Sequence, residues 1–224
     1  MLINKNSLDI TVSSSSFILP GNLAWNELSE DNNIIFSEYG NLIGPLTNKN
    51  TKDLVMCLFV DDFISNDNAT IDENKNLLKN IIELISKKII SSNNVFITSL
   101  CLMEQINVIR ISKSHSNKTV LFNWFIDELL LLAKKYNNFF VINLNYEFSK
   151  FGFQKVFDNR NWYFSHCRLS NFGLKIFVKS VAKILNRYKN PALKLLILDC
   201  DNTLWGGIIG EDGLKGINLG NDGV

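Results

Sequence analysis

The residues best suited to chemistry lie late in the chain, in Asp199-Cys200-Asp201-Asn202-Thr203. They follow Leu193 to Leu198, LKLLIL, an apolar run of strand length. In open parallel sheets, ligands gather beyond the carboxyl ends of strands. Asp199 then stands where a substrate reaches it, and Asp201 reaches the same space through the turn that follows. Each of two carboxylates this close disfavours the other's charge, so their ionisations split. One remains an anionic nucleophile while the other donates a proton. That division suits phosphoryl transfer through an aspartyl-phosphate. Asp199 attacks phosphorus, and Asp201 protonates the leaving oxygen and later activates water. A divalent ion, Mg²⁺ before others, would neutralise phosphate charge, and Asp199 offers it a hard oxygen. An EF-hand loop does not fit. Leu204 stands where its sharp turn needs Gly, and a strand precedes the loop in place of a helix.

Those residues need elements to hold them, and strands alternate with helices along the chain. Strands are expected at Leu8 to Ser14, Asn33 to Phe36, Asp53 to Val60, Val95 to Cys101 and Phe139 to Leu144. Within Asp72 to Ile90, Leu78, Ile81, Ile82, Ile85 and Ile89 fall at helical spacing. Lys118 to Tyr136 is apolar nearly all round and is expected to be a mostly buried helix. Ser170 is placed to cap Asn171 to Tyr188, whose Leu174, Phe177, Val181, Leu185 and Tyr188 share one face. This alternation implies an α/β fold, a mostly parallel sheet covered by helices on both faces. Pro191 blocks continuation of the last helix and marks a boundary, giving domains at 1–190 and 191–224.

The composition agrees with a globular chain. Of 224 residues, 46% are hydrophobic and 20% charged, enough for a core and too apolar for disorder. A net charge of +1 argues against a nucleic-acid binder with a broad basic surface. No apolar run reaches the ~20 residues of a membrane helix. Met1 to Asp9 has no apolar signal core, so a cytoplasmic protein without a membrane partner is expected. Cys57, Cys101, Cys167 and Cys200 are far apart and read as buried, reduced thiols.

The segment Leu195 to Gly220, LLILDCDNTLWGGIIGEDGLKGINLG, resembles the first motif and following flap of the haloacid dehalogenase-like superfamily. More narrowly it is similar to the FkbH-like proteins, subfamily IIIC phosphatases, with Cys200 at the variable position. The resemblance implies that residues 191–224 are the first strand and flap of a HAD-like Rossmannoid domain. It implies Asp199 as nucleophile and Mg²⁺ ligand, and Asp201 as acid/base with its backbone carbonyl on the metal. Thr203, Trp205, Gly206 and Gly207 would shape the turn and flap beside a phosphorylated small-molecule substrate. Some family members resemble glyceryl transferases. They take a glyceryl group from bisphosphoglycerate, dephosphorylate it and place it on an acyl carrier protein thiol. Others occur in polysaccharide pathways. An acyl carrier protein is therefore a candidate partner.

Family members carry an upstream α/β domain related in fold to SGNH hydrolases, and Asp158 to Gly173, DNRNWYFSHCRLSNFG, is similar to its end. The implied architecture is an SGNH/flavodoxin-like three-layer domain followed by the start of the phosphatase domain. An SGNH esterase needs a Ser after its first strand and an Asp-x-x-His before its last helix. Ser13 to Ser16 end the first strand, but counting back from Gly173 puts Arg168 at the His position and Ser165 at the Asp position. His166 lies two residues away and would point differently. Val60-Asp61-Asp62 follow the third strand, where carboxylates would repel a developing oxyanion. The upstream domain is thus expected to be catalytically degenerate.

Blander readings cover the rest. Trp124, Trp162, Phe151 and Phe153 are expected in core or interface packing. Arg160 and Arg168 are expected in structural ion pairs, with Asp158 close in sequence. Asp61, Asp62 and Asp67 are expected in a solvated turn. Residues 191–224 cannot bury a core alone, and the later phosphatase motifs are missing before Val224, so the chain reads as a fragment or an incomplete reading frame. Two functions follow: part of a Mg²⁺-dependent phosphatase or phosphotransferase, or a non-enzymatic SGNH-like docking module.

Overall fold

Side-chain alternation along one strand decides the layering. In the computed structural model, residues 7–63, 70–91, 94–102, 113–190, 198–213 and 215–218 are described. They divide between two units, Met1–Lys189 and Asn190–Val224. The first unit runs β1 (Asp9–Ser14), α1 (Asn26–Ser29), β2 (Asn33–Phe36), α2 (Ile43–Thr47), β3 (Asp53–Phe59), α3 (Ile71–Ile90), β4 (Phe96–Cys101), α4 (Lys113–Lys135) and β5 (Phe139–Asn143). Four further helices follow in it: α5 (Leu144–Ser149), α6 (Phe153–Val156), α7 (Asn159–Ser165) and α8 (Asn171–Lys189).

Every residue of β3 is buried. Successive side chains of a strand point to opposite faces. Val55, Cys57 and Phe59 therefore join Leu28 of α1 and Phe177 and Val181 of α8 in one core. Leu54, Met56 and Leu58 join Leu46 of α2, Leu78 and Ile85 of α3, and Leu121 and Phe125 of α4 in the other. A strand covered on both faces must be apolar throughout, as DLVMCLF nearly is.

The sheet has the order β2-β1-β3-β4-β5, parallel at every pairing. From β1 the chain steps outward to β2 and then returns to β3 on the other side of β1. The direction of winding reverses there, which leaves a crevice at the carboxyl ends of β1 and β3. This is the flavodoxin-like strand order, so the expected three-layer α/β domain is the fold of the first unit.

Two local devices bring the later segments to that crevice. The Ser170 hydroxyl accepts the Gly173 N–H at 3.1 Å, capping α8 as expected, and the Ser170 N–H donates to the Val156 carbonyl at 2.8 Å. A Cβ on Gly173 would lie 2.3 Å from that same carbonyl oxygen, so only glycine lets α8 start against α6. Asn145 closes the end of β4. Its side-chain oxygen accepts the Leu102 N–H at 2.7 Å, and its amide donates to the Leu102 carbonyl at 2.6 Å. Asn145→Ala is expected to destabilise the protein by about 2 kcal/mol or more, because both buried backbone groups lose their partner. Urea unfolding of the variant checks this; an unchanged midpoint would show that water replaces the amide.

Some elements differ from their expectation. Helix α4 is buried on one face only. Leu121, Phe125 and Leu129 are fully buried, whereas Val120, Leu130 and Leu131 are exposed, because α4 covers one face of the sheet and its outer side meets solvent. Helix α3 starts on a capping box in which Thr70 and Glu73 exchange hydrogen bonds. Helices α1, α2 and α5 to α7 span four to seven residues, too few to show a 3.6-residue period. Among the described residues no helix is long and apolar enough to cross a membrane.

In the second unit the expected strand at Leu193 to Leu198 lies outside the described residues except for Leu198, which is exposed. The described part is a loop that closes through an antiparallel bridge between Gly206 and Asn218 and contains α9 (Ile209–Asp212).

Candidate functional site

The Asp-rich loop is built by short-range backbone bonds. The Cys200 carbonyl accepts the N–H groups of Thr203 and Leu204 at 3.3 and 3.0 Å, which turns the chain sharply after Asp201. Asn202 takes the left-handed conformation with φ 55°, which Asn tolerates better than most residues. Its side chain accepts the Gly207 N–H at 2.9 Å, and its own N–H donates to the Gly207 carbonyl at 3.3 Å. Gly207 has φ 103° and lies so close to Asp212 and Gly216 that a Cβ would sit 3.1 Å from oxygens of both. The positive φ favours glycine there, and the close oxygens add to that preference.

This closure fixes Asp201. Its Oδ1 accepts the Trp205 Nε1–H at 3.1 Å and the Ile209 N–H at 3.3 Å. Trp205 and Ile209 thus fix the direction of the Asp201 carboxylate. Asp199 is exposed, and its Oδ1 accepts the Cys200 N–H at 2.8 Å. Gly206 exchanges backbone bonds with Asn218 at 2.8 and 2.9 Å and holds the far side of the loop. Thr203 is exposed, and its hydroxyl makes no hydrogen bond among the described residues. Mg²⁺ takes oxygen ligands, commonly one or two carboxylates with water and phosphate oxygens completing the set. Asp199 and Asp201 supply oxygens of that kind and fit the ion. Among the described residues no third acidic, Cys or His side chain joins them.

Cys200 departs from the expectation of four buried thiols. Cys57, Cys101 and Cys167 are buried, and burial pushes their thiols up; Cys200 is exposed because the turn faces it outward. Iodoacetamide at neutral pH is expected to modify Cys200 alone in the folded protein, as read by peptide mass spectrometry. Modification of Cys57 or Cys101 without denaturant would contradict the burial.

A second cluster occupies the crevice between β1 and β3. Ser15 Oγ accepts the Phe59 N–H at 2.9 Å and donates to Asp62 Oδ2 at 2.7 Å. Ser16 Oγ also donates to Asp62 Oδ2, at 2.9 Å, and accepts from Arg168 Nε at 3.0 Å. Asp62 Oδ1 accepts from Arg168 Nε at 3.1 Å and from Nη2. The guanidinium lies 3.9 Å over the Trp162 ring centre, a cation–π contact. The Arg168 and Asp62 side chains are 13% and 15% exposed.

Both arginines form structural ion pairs as expected, Arg160 with Asp158 at 3.6 Å and Arg168 with the sequence-distant Asp62. Asp62 is not in a solvated turn; the 3-10 turn Val60–Phe63 directs it into the crevice. Asp67 lies outside the described residues. Trp162 packs under a cation, and Phe151 is exposed, edge-on to Phe172 at 5.4 Å.

Both serine hydroxyls donate to a carboxylate that is itself paired with the Arg168 guanidinium. His166, in the left-handed conformation at the end of α7, stacks on Tyr39, lies edge-on to Trp162 and has no hydrogen bond to the serines among the described residues. The adjoining pocket, lined by Ser14, Ser16, Phe17 and Tyr39, holds about 30 Å³, room for about one water. Asp62 was the residue hardest to foresee. Its partners come from 46 and 106 positions away.

The chain matches no protein-family model and no curated protein. Among solved structures it is similar to the N-terminal part of the protein BF1531 from Bacteroides fragilis, described as containing a phosphatase domain and complexed with Mg. The TM-score is 0.69 at 20% identity, covering 96% of this chain and 61% of that one. The chain thus spans about three fifths of that structure's length. At this identity the likeness is one of fold. A member of the lipolytic protein G-D-S-L family from Veillonella parvula DSM 2008 aligns with a TM-score of 0.46 and 16% identity, over 81% of this chain and 99% of that one.

Proposed function

We propose that this chain carries the nucleophile loop of a Mg²⁺-dependent phosphatase or phosphotransferase of the FkbH-like, haloacid dehalogenase-like type. The observation that carries the reading is the self-closed loop in which Trp205 and Ile209 hold Asp201 two residues from an exposed Asp199. The phosphatase domain and Mg in the description of the Bacteroides fragilis structure agree with it.

In this mechanism an Asp199 carboxylate oxygen attacks phosphorus, and the bond from phosphorus to the leaving oxygen breaks. Asp201 gives that oxygen its proton. Asp201, now ionised, takes a proton from water as the water attacks the same phosphorus. The bond to Asp199 breaks, and inorganic phosphate leaves with both carboxyl groups restored. Mg²⁺ held by Asp199 and the Asp201 carbonyl would neutralise charge on the phosphoryl oxygens. Thr203, Gly206 and Gly207 border the space where the phosphoryl group sits. The substrate class is a phosphorylated small molecule. Glyceryl transfer from bisphosphoglycerate to an acyl carrier protein, or a polysaccharide-pathway relative of that reaction, is the corresponding pathway reading.

The test is direct. The whole phosphatase that carries this loop is mixed with Mg²⁺ and acetyl phosphate, quenched in acid and digested. A phosphoryl group on the peptide containing Asp199 supports the reading, and its absence at every quench time sinks it.

A second reading applies to the first unit, domain 1–190, as a non-enzymatic docking module. The Ser15, Ser16, Asp62 and Arg168 cluster favours it, since the crevice where such folds bind ligands is filled by the chain's own ion pair.

A further inference from the structure

The near-neutral net charge conceals a sharp asymmetry. Residues 146–189 contain nine Lys and Arg but only two Asp and Glu, a local charge of +7 in a chain of +1. Both acids of this segment are engaged nearby, Glu147 with Lys150 at 2.9 Å and Asp158 with Arg160 at 3.6 Å. The remaining charge concentrates on α8. Lys175, Lys179, Lys183 and Arg187 follow at intervals of four residues, and all four are exposed. With a rise of about 1.5 Å per residue, the four cations stand about 6 Å apart in a file about 18 Å long.

This arrangement works against the helix that carries it. Like charges four residues apart destabilise a helix. Lys175 and Lys179 also lie in the N-terminal half, where the helix dipole disfavours cations, and the first turn has no acidic residue. No carboxylate lies within ion-pair distance of any of the four among the described residues. Glu27 of α1 lines the same open depression as Lys175 without pairing with it. At the start of the file, Phe151 and Phe172 form an edge-to-face pair that is 47% and 42% exposed.

We propose that the outer face of α8 is a docking surface for an acidic helix of a partner protein. Carboxylates repeated every four residues on such a helix share the 6 Å interval, and an apolar side chain at one end would cover the Phe151–Phe172 pair. Charge complementarity singles out this occupant. A membrane is disfavoured because the apolar face of α8, with Leu174, Phe177 and Val181, is fully buried in the core, which leaves nothing to insert. A nucleic acid is disfavoured because the cations form a narrow file with a single Arg on a chain of balanced charge. The inference stands independently of the phosphoryl chemistry at Asp199.

The full chain is titrated with a stapled helical peptide of about 20 residues bearing Glu at every fourth position and one terminal Leu pair. Controls are a scrambled peptide of equal composition, a single-stranded oligonucleotide and phosphatidylserine vesicles. The peptide is expected to bind most tightly and to protect Lys175, Lys179 and Lys183 from acetylation. K179E/K183E should weaken binding by about tenfold or more, since like charges then face each other, and K179Q/K183Q by less. Both pairs are exposed, and unchanged circular dichroism verifies the fold. Asp199→Asn should bind the peptide as the parent does, which separates this inference from the phosphatase reading. No binding, equal binding of the scrambled peptide, tighter binding of either other polyanion, or indifference to K179E/K183E would each overturn the proposal.

Discussion

In the whole phosphatase that carries this loop, Asp199→Asn is expected to abolish phosphate release from acetyl phosphate, a loss on the order of 10³-fold or more, because the amide is no nucleophile toward phosphorus. Asp201→Asn should behave differently, and the difference is the sharper test. The Asn oxygen can still accept the Trp205 and Ile209 N–H groups that hold Oδ1 now, so the loop stays closed. What the variant lacks is the proton donor and acceptor. Acetyl phosphate releases acetate, a leaving group that needs little protonation. Phosphorylation of Asp199 should therefore proceed while attack by water fails, and the phosphorylated chain should accumulate. A phosphate monoester releases an alkoxide, so there both steps should be slow. Acid-quench mass spectrometry reads both outcomes. Equal labelling of the two variants would remove the roles assigned to Asp199 and Asp201.

Asp62→Ala is expected to cost about 3–5 kcal/mol of folding stability, toward the lower end because water still reaches the pair. The loss removes a shared acceptor from three donors at once: the Ser15 and Ser16 hydroxyls and the Arg168 guanidinium. Arg168→Met should cost less. The Met side chain keeps apolar contact with Trp162, and two hydroxyls still satisfy Asp62 Oδ2. The double variant should lose less than the two singles combined, since each single leaves a charge that the other removes. Urea denaturation of the three variants measures this. A change below about 0.5 kcal/mol in Asp62→Ala would mark the cluster as a surface feature and not as the tie between β1, β3 and the α7–α8 connection.

The legible parts of the chain share a physical origin. Strand β3 could be read because burial on both faces demands an unbroken apolar run. Helices α3 and α8 could be read because one buried face imposes a repeat over 20 and 19 residues. Helix α4 misled because Leu130 and Leu131 look like core residues, and apolarity does not reveal which side a helix turns to the sheet. The closed Asp loop was partly legible, since Asn202, Gly206 and Gly207 mark a tight turn wherever they fall together. That Trp205 and Ile209 would both grip one oxygen of Asp201 was not.

The sequence by itself determined the alternation that builds a parallel α/β sheet, and the local turn that sets Asp201 beside its flap. Both depend on residues within a few positions of each other, where propensity and period act. Only the tertiary structure decided the state of the crevice in the first unit. Ser15 and Ser16, Asp62 and Arg168 come from three distant segments. They meet because the sheet reverses its winding between β1 and β3 and because Gly173 lets α8 start hard against α6. Long-range pairing of charges follows from topology, and one-dimensional spacing carries no record of it.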